Sequence, residues 1–289
     1  MILEDKYTLS NGVQIPKLGL GTWFIRDKDA AEAVRQAAGL GYRLVDTAQA
    51  YQNEAGVGEG IRTCGVPREE MFVTSKVAAE AKSYAEAKKA VNDILAKTGL
   101  SYLDLVIIHA PQPWNEFRND GKRYFAENKE AWKALEEAYE SGRVKAIGVS
   151  NFLVDDLENI LADCKIKPMV NQVLCHISNT PEEVLAFCEK NGILVEAYAP
   201  IAHGQVLKNK EIKAVAEKYG VTVAQLCIRY TIQLGTVSLP KTDNPAHMKE
   251  NASVDFEISD ADMELLKKVA KIKSYGVMMN MMPVFGKGR

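Results

Sequence analysis

The sequence lacks the features that would place it at a membrane or outside the cell. No run approaches the roughly 20 consecutive apolar residues that a membrane-spanning helix needs. The first ten residues, MILEDKYTLS, carry three charges and no apolar core, so we expect neither a signal peptide nor an anchor. The 5 cysteines show no C-x-x-C spacing, which predicts free thiols in a reducing compartment. A cytoplasmic protein is therefore expected.

The sequence also lacks a charge imbalance. Its 36 basic and 38 acidic residues leave a net charge of -2, which gives no reason to expect nucleic acid or an anionic membrane as the partner. We expect a small molecule instead. Histidine is scarce as well, and none of the 4 histidines has the i, i+4 or carboxylate-flanked spacing of a metal site. A metal-dependent hydrolase or isomerase is accordingly disfavoured, and no metal is predicted.

A dinucleotide-binding glycine fingerprint is also missing. Gly19-Leu20-Gly21 lacks the third glycine of G-x-G-x-x-G and runs into Thr22-Trp23, so a Rossmann domain is not indicated.

What the sequence does contain is a regular alternation of strand and helix patterns. A chain of 289 residues with 47% hydrophobic residues could form one barrel or two smaller domains, and the absence of a linker favours a single domain over residues 1–289. Eight short apolar runs alternate with segments of 3.6-residue period, which predicts the α/β class and a (β/α)8 TIM barrel. The predicted strands are 18–22, 43–47, 72–76, 103–110, 144–150, 169–174, 193–198 and 236–240. The predicted helices between them are 29–38, 54–62, 84–97, 129–139, 154–162, 181–190 and 212–218.

Several segments add to this repeat. Residues 7–15 predict an N-terminal β-hairpin with a two-residue primed turn at Asn11-Gly12, capping the bottom of the barrel. Residues 223–233 and 261–272 predict two extra helices. The Met-rich tail, residues 273–289, has no clear period. It could fold over the barrel mouth, or it could pack loosely on the surface.

Helix starts support the division of the chain. Three positions carry Ser or Thr with Glu or Gln three residues later, a pattern that satisfies two free amides at once. The pairs are Ser83 with Glu86, Thr180 with Glu183, and Thr222 with Gln225.

Ionisable side chains lie at the ends of three predicted strands or in the loops that follow them. Asp46 ends the second strand, Tyr51 follows in its loop, Lys76 ends the third strand, and His109 follows the apolar run of the fourth. Taken singly, each has an ordinary structural explanation, such as a turn cap, a surface lysine or a core histidine. In a barrel, however, the carboxyl ends of the strands meet at one mouth, where active sites lie. A buried Lys76 would need a counter-charge, and Asp46 is the candidate.

The chain resembles the aldo-keto reductase family from the hairpin almost to its C-terminus. The resemblance is carried by GLGTW at 19–23, GYRLVDTAQAYQNE at 41–54, SK at 75–76, IIHAP at 107–111, GVSNF at 148–152, NQV at 171–173, AYAP at 197–200, and LPKTDNP with EN at 239–251. It implies reversible reduction of an aldehyde or ketone by a nicotinamide cofactor. A cofactor-binding regulatory or structural subunit on the same fold is the alternative, against which the complete set of four ionisable residues argues.

The resemblance implies Tyr51 as general acid, Lys76 and Asp46 as the pair that tunes it, and His109 as the group that orients the carbonyl. A phenol with a pKa near ~10 holds its proton at neutral pH, and a nearby ammonium would stabilise the phenolate left after donation. A neutral imidazole could donate a hydrogen bond to the substrate oxygen.

The resemblance also implies a cofactor site. The implied residues are Gly21 and Thr22 near the mouth, Ser150, Asn151 and Gln172 at the nicotinamide carboxamide, Tyr198 stacked on its ring, Lys241, Thr242 and His247 at the 2'-phosphate, and Glu250 and Asn251 near the adenine. Many members carry arginine where this chain has His247, and a neutral histidine grips phosphate less well. NADPH is therefore expected, with NADH use open. Trp23 and Trp114 are expected to line the pocket for a small carbonyl substrate of undefined identity, and a monomer is the default.

Overall fold

The computed structural model describes residues 1–119, 121–272 and 274–286. Eight parallel strands form its central sheet, and each lies next to its neighbour in sequence. The strands are β3 (Leu20–Gly21), β4 (Leu44–Asp46), β5 (Phe72–Val77), β6 (Leu105–Ile108), β7 (Ile147–Ser150), β8 (Val170–Leu174), β9 (Leu194–Tyr198) and β10 (Val237–Leu239). Two parallel bridges, Leu18 with Ser238 and Gly21 with Lys241, join the first of these strands to the last. The predicted (β/α)8 barrel is confirmed, and all eight strands fall where the apolar runs placed them.

Helices surround the sheet. They are α1 (Asp27–Gly39), α2 (Glu54–Thr63), α3 (Tyr84–Thr98), α4 (Phe125–Glu140), α5 (Val154–Leu161), α6 (Glu182–Asn191), α7 (Lys210–Lys218), α8 (Val223–Gln233), α9 (Pro245–Ala252), α10 (Asp260–Lys267) and α11 (Met278–Met281). Helices α8 and α10 are the two predicted extra helices. Helix α9 was not predicted, because it buries only Met248 and Asn251 and so has almost no apolar stripe. Its start was nevertheless marked by the cap Asn244 followed by Pro245.

The N-terminal hairpin is present, but its turn differs from the prediction. Strands β1 (Lys6–Thr8) and β2 (Gln14–Pro16) pair antiparallel. Of the turn residues only Gly12 has a positive φ, and its amide donates to the Leu9 carbonyl, so the loop has three residues and ends in a glycine bulge. The Tyr7 hydroxyl donates to the carbonyl of Ile232, just before β10, which places the hairpin at the N-terminal end of the barrel.

Two of the three predicted capping boxes form. Ser83 with Glu86 caps α3, and Thr222 with Gln225 caps α8. The prediction for Thr180 is wrong. Its hydroxyl lies 2.6 Å from the hydroxyl of Tyr230, so a tertiary contact takes the oxygen that the cap would have used.

Two interior regions bury the apolar side chains. The larger surrounds the barrel strands and their inner helix faces. The smaller lies at the C-terminal end and includes Tyr230, Tyr275, Val284 and Phe285. The described part of the tail is therefore folded onto the mouth, while residues 273 and 287–289 of the predicted tail segment lie outside the described residues. Among the described helices, none is both long and apolar enough to cross a membrane.

Candidate active site

A fully buried lysine is bound to a buried aspartate at the C-terminal end of the barrel. Lys76 has no exposed surface and Asp46 has 4%. The Lys76 Nζ lies 2.7 Å from both carboxylate oxygens of Asp46 and 2.9 Å from the Thr47 carbonyl. Parallel pairing of β4 with β5 sets this arrangement, because it brings the ends of the two strands side by side. Asp46 is thus the counter-charge of the buried Lys76 ammonium, as predicted from the sequence.

Tyr51 is held beside this pair by its own loop. It ends a single 3-10 turn that follows β4, and its hydroxyl lies 3.2 Å from the Lys76 Nζ. The Gln49 side chain accepts from the amide of Ala78, just beyond β5, at 3.0 Å. Asn53 donates to the carbonyls of Thr22 and Ile25, both at 2.9 Å. The loop is therefore fastened to two neighbouring strands, which fixes where the phenol points.

The charges around the phenol act in opposite directions. Burial raises the pKa of Tyr51 well above its ordinary value, and the carboxyl groups of Asp46 and Glu196 raise it further. The phenol is therefore protonated at neutral pH. The Lys76 ammonium contacts the same hydroxyl, and a positive charge there favours the phenolate.

His109 completes the group of four. Its ring meets the Tyr51 ring edge-on at 5.7 Å and the Trp114 ring at 5.1 Å. Burial, with the Lys76 ammonium as a second cause, lowers the pKa of His109 well below its ordinary value. The imidazole is thus neutral and can donate one hydrogen bond. Its Nδ1 has no hydrogen-bond partner among the described residues.

The four side chains open into a small aromatic cavity of ≈ 40 Å³. Trp23 and Trp114 both line it. The tail closes it, because Phe285 stacks on Trp23 at 5.9 Å and is only 1% exposed. Its full lining is Trp23, Tyr51, His109, Trp114, Ser150, Asn151, Gln172, Tyr198, Met282, Val284 and Phe285.

Three residues of the implied carboxamide site meet at this cavity. Ser150 ends β7, Asn151 follows it, and Gln172 lies opposite Ser150 on β8. Asn151 takes a left-handed backbone, φ 61°, which a non-glycine residue adopts at a cost of order 1–3 kcal/mol. The hydroxyl of Tyr198 donates to Asn151 Oδ1 at 2.7 Å. Polar groups are thus concentrated on one wall of an otherwise aromatic space.

A second, larger cavity of ≈ 230 Å³ runs from Tyr51 and Tyr198 to Lys241. Gly21 lies on its floor, where an added Cβ would lie 3.3 Å from the Leu239 carbonyl oxygen. The side chain would therefore crowd the strand that the channel follows. A channel that begins at a phenol and ends at a lysine suits an extended nicotinamide dinucleotide. Thr22 lies beside Gly21, but its hydroxyl donates to the Asp46 carbonyl, so it supports the strand end.

The implied phosphate and adenosine residues begin at the Lys241 end of this channel. Lys241 and Thr242 follow β10, and the Lys241 Nζ is 3.7 Å from Asp243. The other three lie on α9. His247 is exposed there, Glu250 is half-buried and Asn251 is buried. The missed helix α9 is thus the element that carries three of the predicted residues.

Two groups at the site were absent from the sequence prediction. Glu196, with no exposed surface, accepts a hydrogen bond from Gln172 at 2.8 Å. The signal for it was present, since Glu196 is the one charged residue of β9 and shares a strand face with Tyr198 two positions later. His203 packs edge-on against Phe285 at 4.6 Å, and burial lowers its pKa to about 4.

Comparison with known proteins agrees with this geometry. The sequence model described as the Aldo/keto reductase family matches residues 17–271. The glyoxal reductase of Bacillus subtilis is 42% identical, over 95% of this chain and 96% of that protein. The crystal structure of an aldo/keto reductase from Brucella melitensis superposes with a TM-score of 0.84 at 36% identity, covering 91% of this chain and 98% of that one.

A further solved relative contains the cofactor. It is an aldo-keto reductase complexed with NADPH, with a TM-score of 0.83 at 31% identity, covering 92% of this chain and 88% of that one. A barrel with a buried carboxylate, ammonium and phenol at its mouth, matched to these relatives over this length, defines a carbonyl-reducing oxidoreductase. The chain belongs to the aldo/keto reductase family, and it reduces carbonyl groups with a nicotinamide cofactor.

Proposed function

We propose that this chain reduces aldehydes and ketones with Tyr51 as the general acid. The observation that carries the proposal is the contact of the Tyr51 hydroxyl with the Lys76 Nζ, 3.2 Å apart, while Asp46 holds that ammonium from the other side. As the carbonyl carbon is reduced, its oxygen becomes an alkoxide, a stronger base than phenolate. The phenol can therefore give up its proton despite its raised pKa, and the ammonium stabilises the phenolate.

His109 orients the substrate in this proposal. Its neutral ring can donate to the carbonyl oxygen without competing for the proton. Trp114 packs against the ring at 5.1 Å, and the Asn151 side chain donates to the His109 carbonyl at 3.0 Å. The first contact limits rotation of the ring and the second fixes the backbone that carries it, so the donor is positioned before the substrate binds.

The nicotinamide cofactor supplies the hydride when it is bound. Ser150, Asn151 and Gln172 would hold its carboxamide, and Tyr198 would lie against its ring. The channel to Lys241 would take the remainder. Because Lys241 offers a cation at the far end, we propose NADPH as the preferred form. Since His247 stands where a stronger phosphate ligand could be, NADH remains usable.

The substrate pocket favours small carbonyl compounds. Trp23, Trp114 and Phe285 leave only ≈ 40 Å³ beside Tyr51 and His109. The Bacillus subtilis relative named glyoxal reductase acts on a small dialdehyde by its name. We therefore propose small aldehydes and α-keto compounds as the substrate class, and glyoxal as the first compound to test.

A spectrophotometric panel tests this function. Loss of reduced-nicotinamide absorbance would be followed with glyoxal, longer aldehydes and ketones, each with NADPH and with NADH. We expect turnover that is fastest with small aldehydes and has a lower KM for NADPH than for NADH. Turnover of none of these compounds with either cofactor would contradict the proposal. A chelator, added as a control, should leave the rate unchanged.

We also propose that the chain works as a cytoplasmic monomer. All five cysteines are free, which suits a reducing compartment. Light scattering after size exclusion tests the monomer, and a dimer mass at micromolar concentration would contradict it.

A further inference from the structure

A second carboxyl group is joined to the Asp46–Lys76 pair through one amide. Gln172 Nε2 donates to Asp46 Oδ1 and to Glu196 Oε2, both at 2.8 Å. The three residues come from β4, β8 and β9, so the chain of contacts crosses the inside of the barrel. Glu196 has no exposed surface, and its second oxygen, Oε1, has no hydrogen-bond partner among the described residues. The hydrogen bonds around Glu196 thus do not by themselves explain why a carboxyl group is buried at this position.

The two carboxyl groups determine which way the Gln172 amide faces. An amide NH2 has two hydrogens, and both are used by these acceptors. Reversing the amide would place its oxygen against two carboxyl oxygens and leave Glu196 Oε2 without its donor, which costs about 1–3 kcal/mol for a buried group, while Asp46 Oδ1 would keep only the Lys76 ammonium. The carbonyl Oε1 is consequently held on the side away from the carboxyl groups, and Gln172 lines the cavity.

From this geometry we propose that Glu196 is a positioning residue of the reductase. It locks Gln172 so that the pocket presents an acceptor to the NH2 of the cofactor's carboxamide, and its ionisation sets the net charge around Tyr51. This inference rests on the proposed function for the identity of the cofactor. In this role Glu196 fixes the orientation of the Gln172 amide, and it makes or breaks no covalent bond.

The effect of Glu196 on the net charge around Tyr51 follows from the groups that face its carboxyl group. These are Asp46 on β4, Lys76 on β5 and the Tyr51 hydroxyl. When Glu196 is neutral, the Asp46 and Lys76 charges cancel. When it ionises, the cluster gains one negative charge beside the phenol, and proton donation becomes harder. Burial, with the Asp46 charge as a second cause, raises the pKa of Glu196 to about 7, so this change falls within the working pH range.

Cofactor binding tests the orientation without any turnover. NADPH is titrated into the intact protein while quenching of its 3 tryptophans is followed. Glu196→Leu should weaken binding by about tenfold, the equivalent of one lost hydrogen bond. Glu196→Gln, which keeps an acceptor for Gln172, should stay within about threefold of the wild type. Equal binding by wild type and Glu196→Leu would overturn the proposal.

A double-mutant cycle separates this role from simple packing. In a Gln172→Ala background, Glu196→Leu should change the NADPH Kd by less than about threefold, because the amide it acts through is gone. The same tenfold loss in both backgrounds would show that Glu196 acts on the fold and would overturn the proposal.

The pH dependence of kcat/KM is a further test, and it does not require the Glu196→Leu variant to fold. In the wild type, kcat/KM should fall as Glu196 ionises through about pH 7, whereas Glu196→Gln should lack this step. If kcat/KM fell in the same way near pH 7 in both proteins, the proposed effect of Glu196 on the charge around Tyr51 would be contradicted. Failure of the proposed function would look different: Tyr51→Phe would turn over like the wild type while NADPH binding still responded to Glu196.

Discussion

Removing the buried ammonium is the perturbation with the largest expected effect on the fold. Lys76 Nζ has four acceptor atoms within 3.2 Å: two on Asp46, one on Thr47 and the Tyr51 hydroxyl. Lys76→Met keeps most of the aliphatic volume and removes the charge. Among the described residues, the buried Asp46 carboxylate then keeps only the Gln172 amide as a donor.

The magnitude follows from the burial of both partners. Removing one member of a buried ion pair costs about 3–5 kcal/mol, because the other charge is left uncompensated. Lys76 is 0% exposed and Asp46 4%, so solvent screening offers little relief. We therefore expect Lys76→Met to lower the free energy of unfolding by about 3–5 kcal/mol at neutral pH. This is a large fraction of the stability of an ordinary domain.

Urea unfolding followed by circular dichroism measures this effect. The matched control is the double variant Lys76→Met/Asp46→Asn, in which a neutral amide replaces the stranded carboxylate. The double variant should recover about half of the loss or more. A Lys76→Met protein within about 1 kcal/mol of the wild type, or a double variant less stable than the single one, would refute the reasoning.

Three further predictions concern single side chains. Because burial raises the Glu196 pKa from 4.5 to about 7, the folded state keeps this proton over a range in which the unfolded state loses it. His109 and His203, whose pKa values burial lowers, act in the opposite direction over part of that range, so the effect of Glu196 is read as a difference between two proteins. The stability of the wild type relative to Glu196→Gln in urea unfolding should fall by about 3 kcal/mol as pH rises through this range and then level, and a difference that does not change with pH would contradict the raised pKa. His247→Arg should tighten NADPH more than NADH in fluorescence titrations, and equal changes would remove His247 from the phosphate site. Phe285→Ala should raise kcat/KM for a bulky ketone relative to glyoxal by about tenfold, since the ring closes the cavity; an unchanged ratio would show that the tail does not limit substrate size.

The barrel could be predicted because its strands are short, apolar and bounded by turn residues. The contact between Asp46 and Lys76 also follows once the strands are parallel, since the two residues lie at the ends of adjacent strands. The turn of the hairpin could not be predicted reliably, because Asn11-Gly12 suits a two-residue turn and also a three-residue loop ending in glycine. The cap at Thr180 failed for a tertiary reason, its contact with Tyr230.

Within the site, the sequence could predict only those residues whose charge is unusual at their position in a strand. Lys76 stood out as a charge in an apolar strand, and Glu196 carried the same signal on β9. Its role depends on Gln172 from another strand, and no spacing in the sequence reveals that contact. Phe285 lies far along the chain from Trp23, and the tail has no period that would show which ring turns inward.

The most direct test of the proposed mechanism compares turnover and cofactor binding in Tyr51→Phe. Removing the hydroxyl deletes the acid and leaves the ring that lines the cavity. We expect kcat to fall by about 10²- to 10⁴-fold, with the NADPH Kd within about twofold of the wild type. Wild-type turnover by Tyr51→Phe would contradict the assignment of Tyr51 as the proton donor.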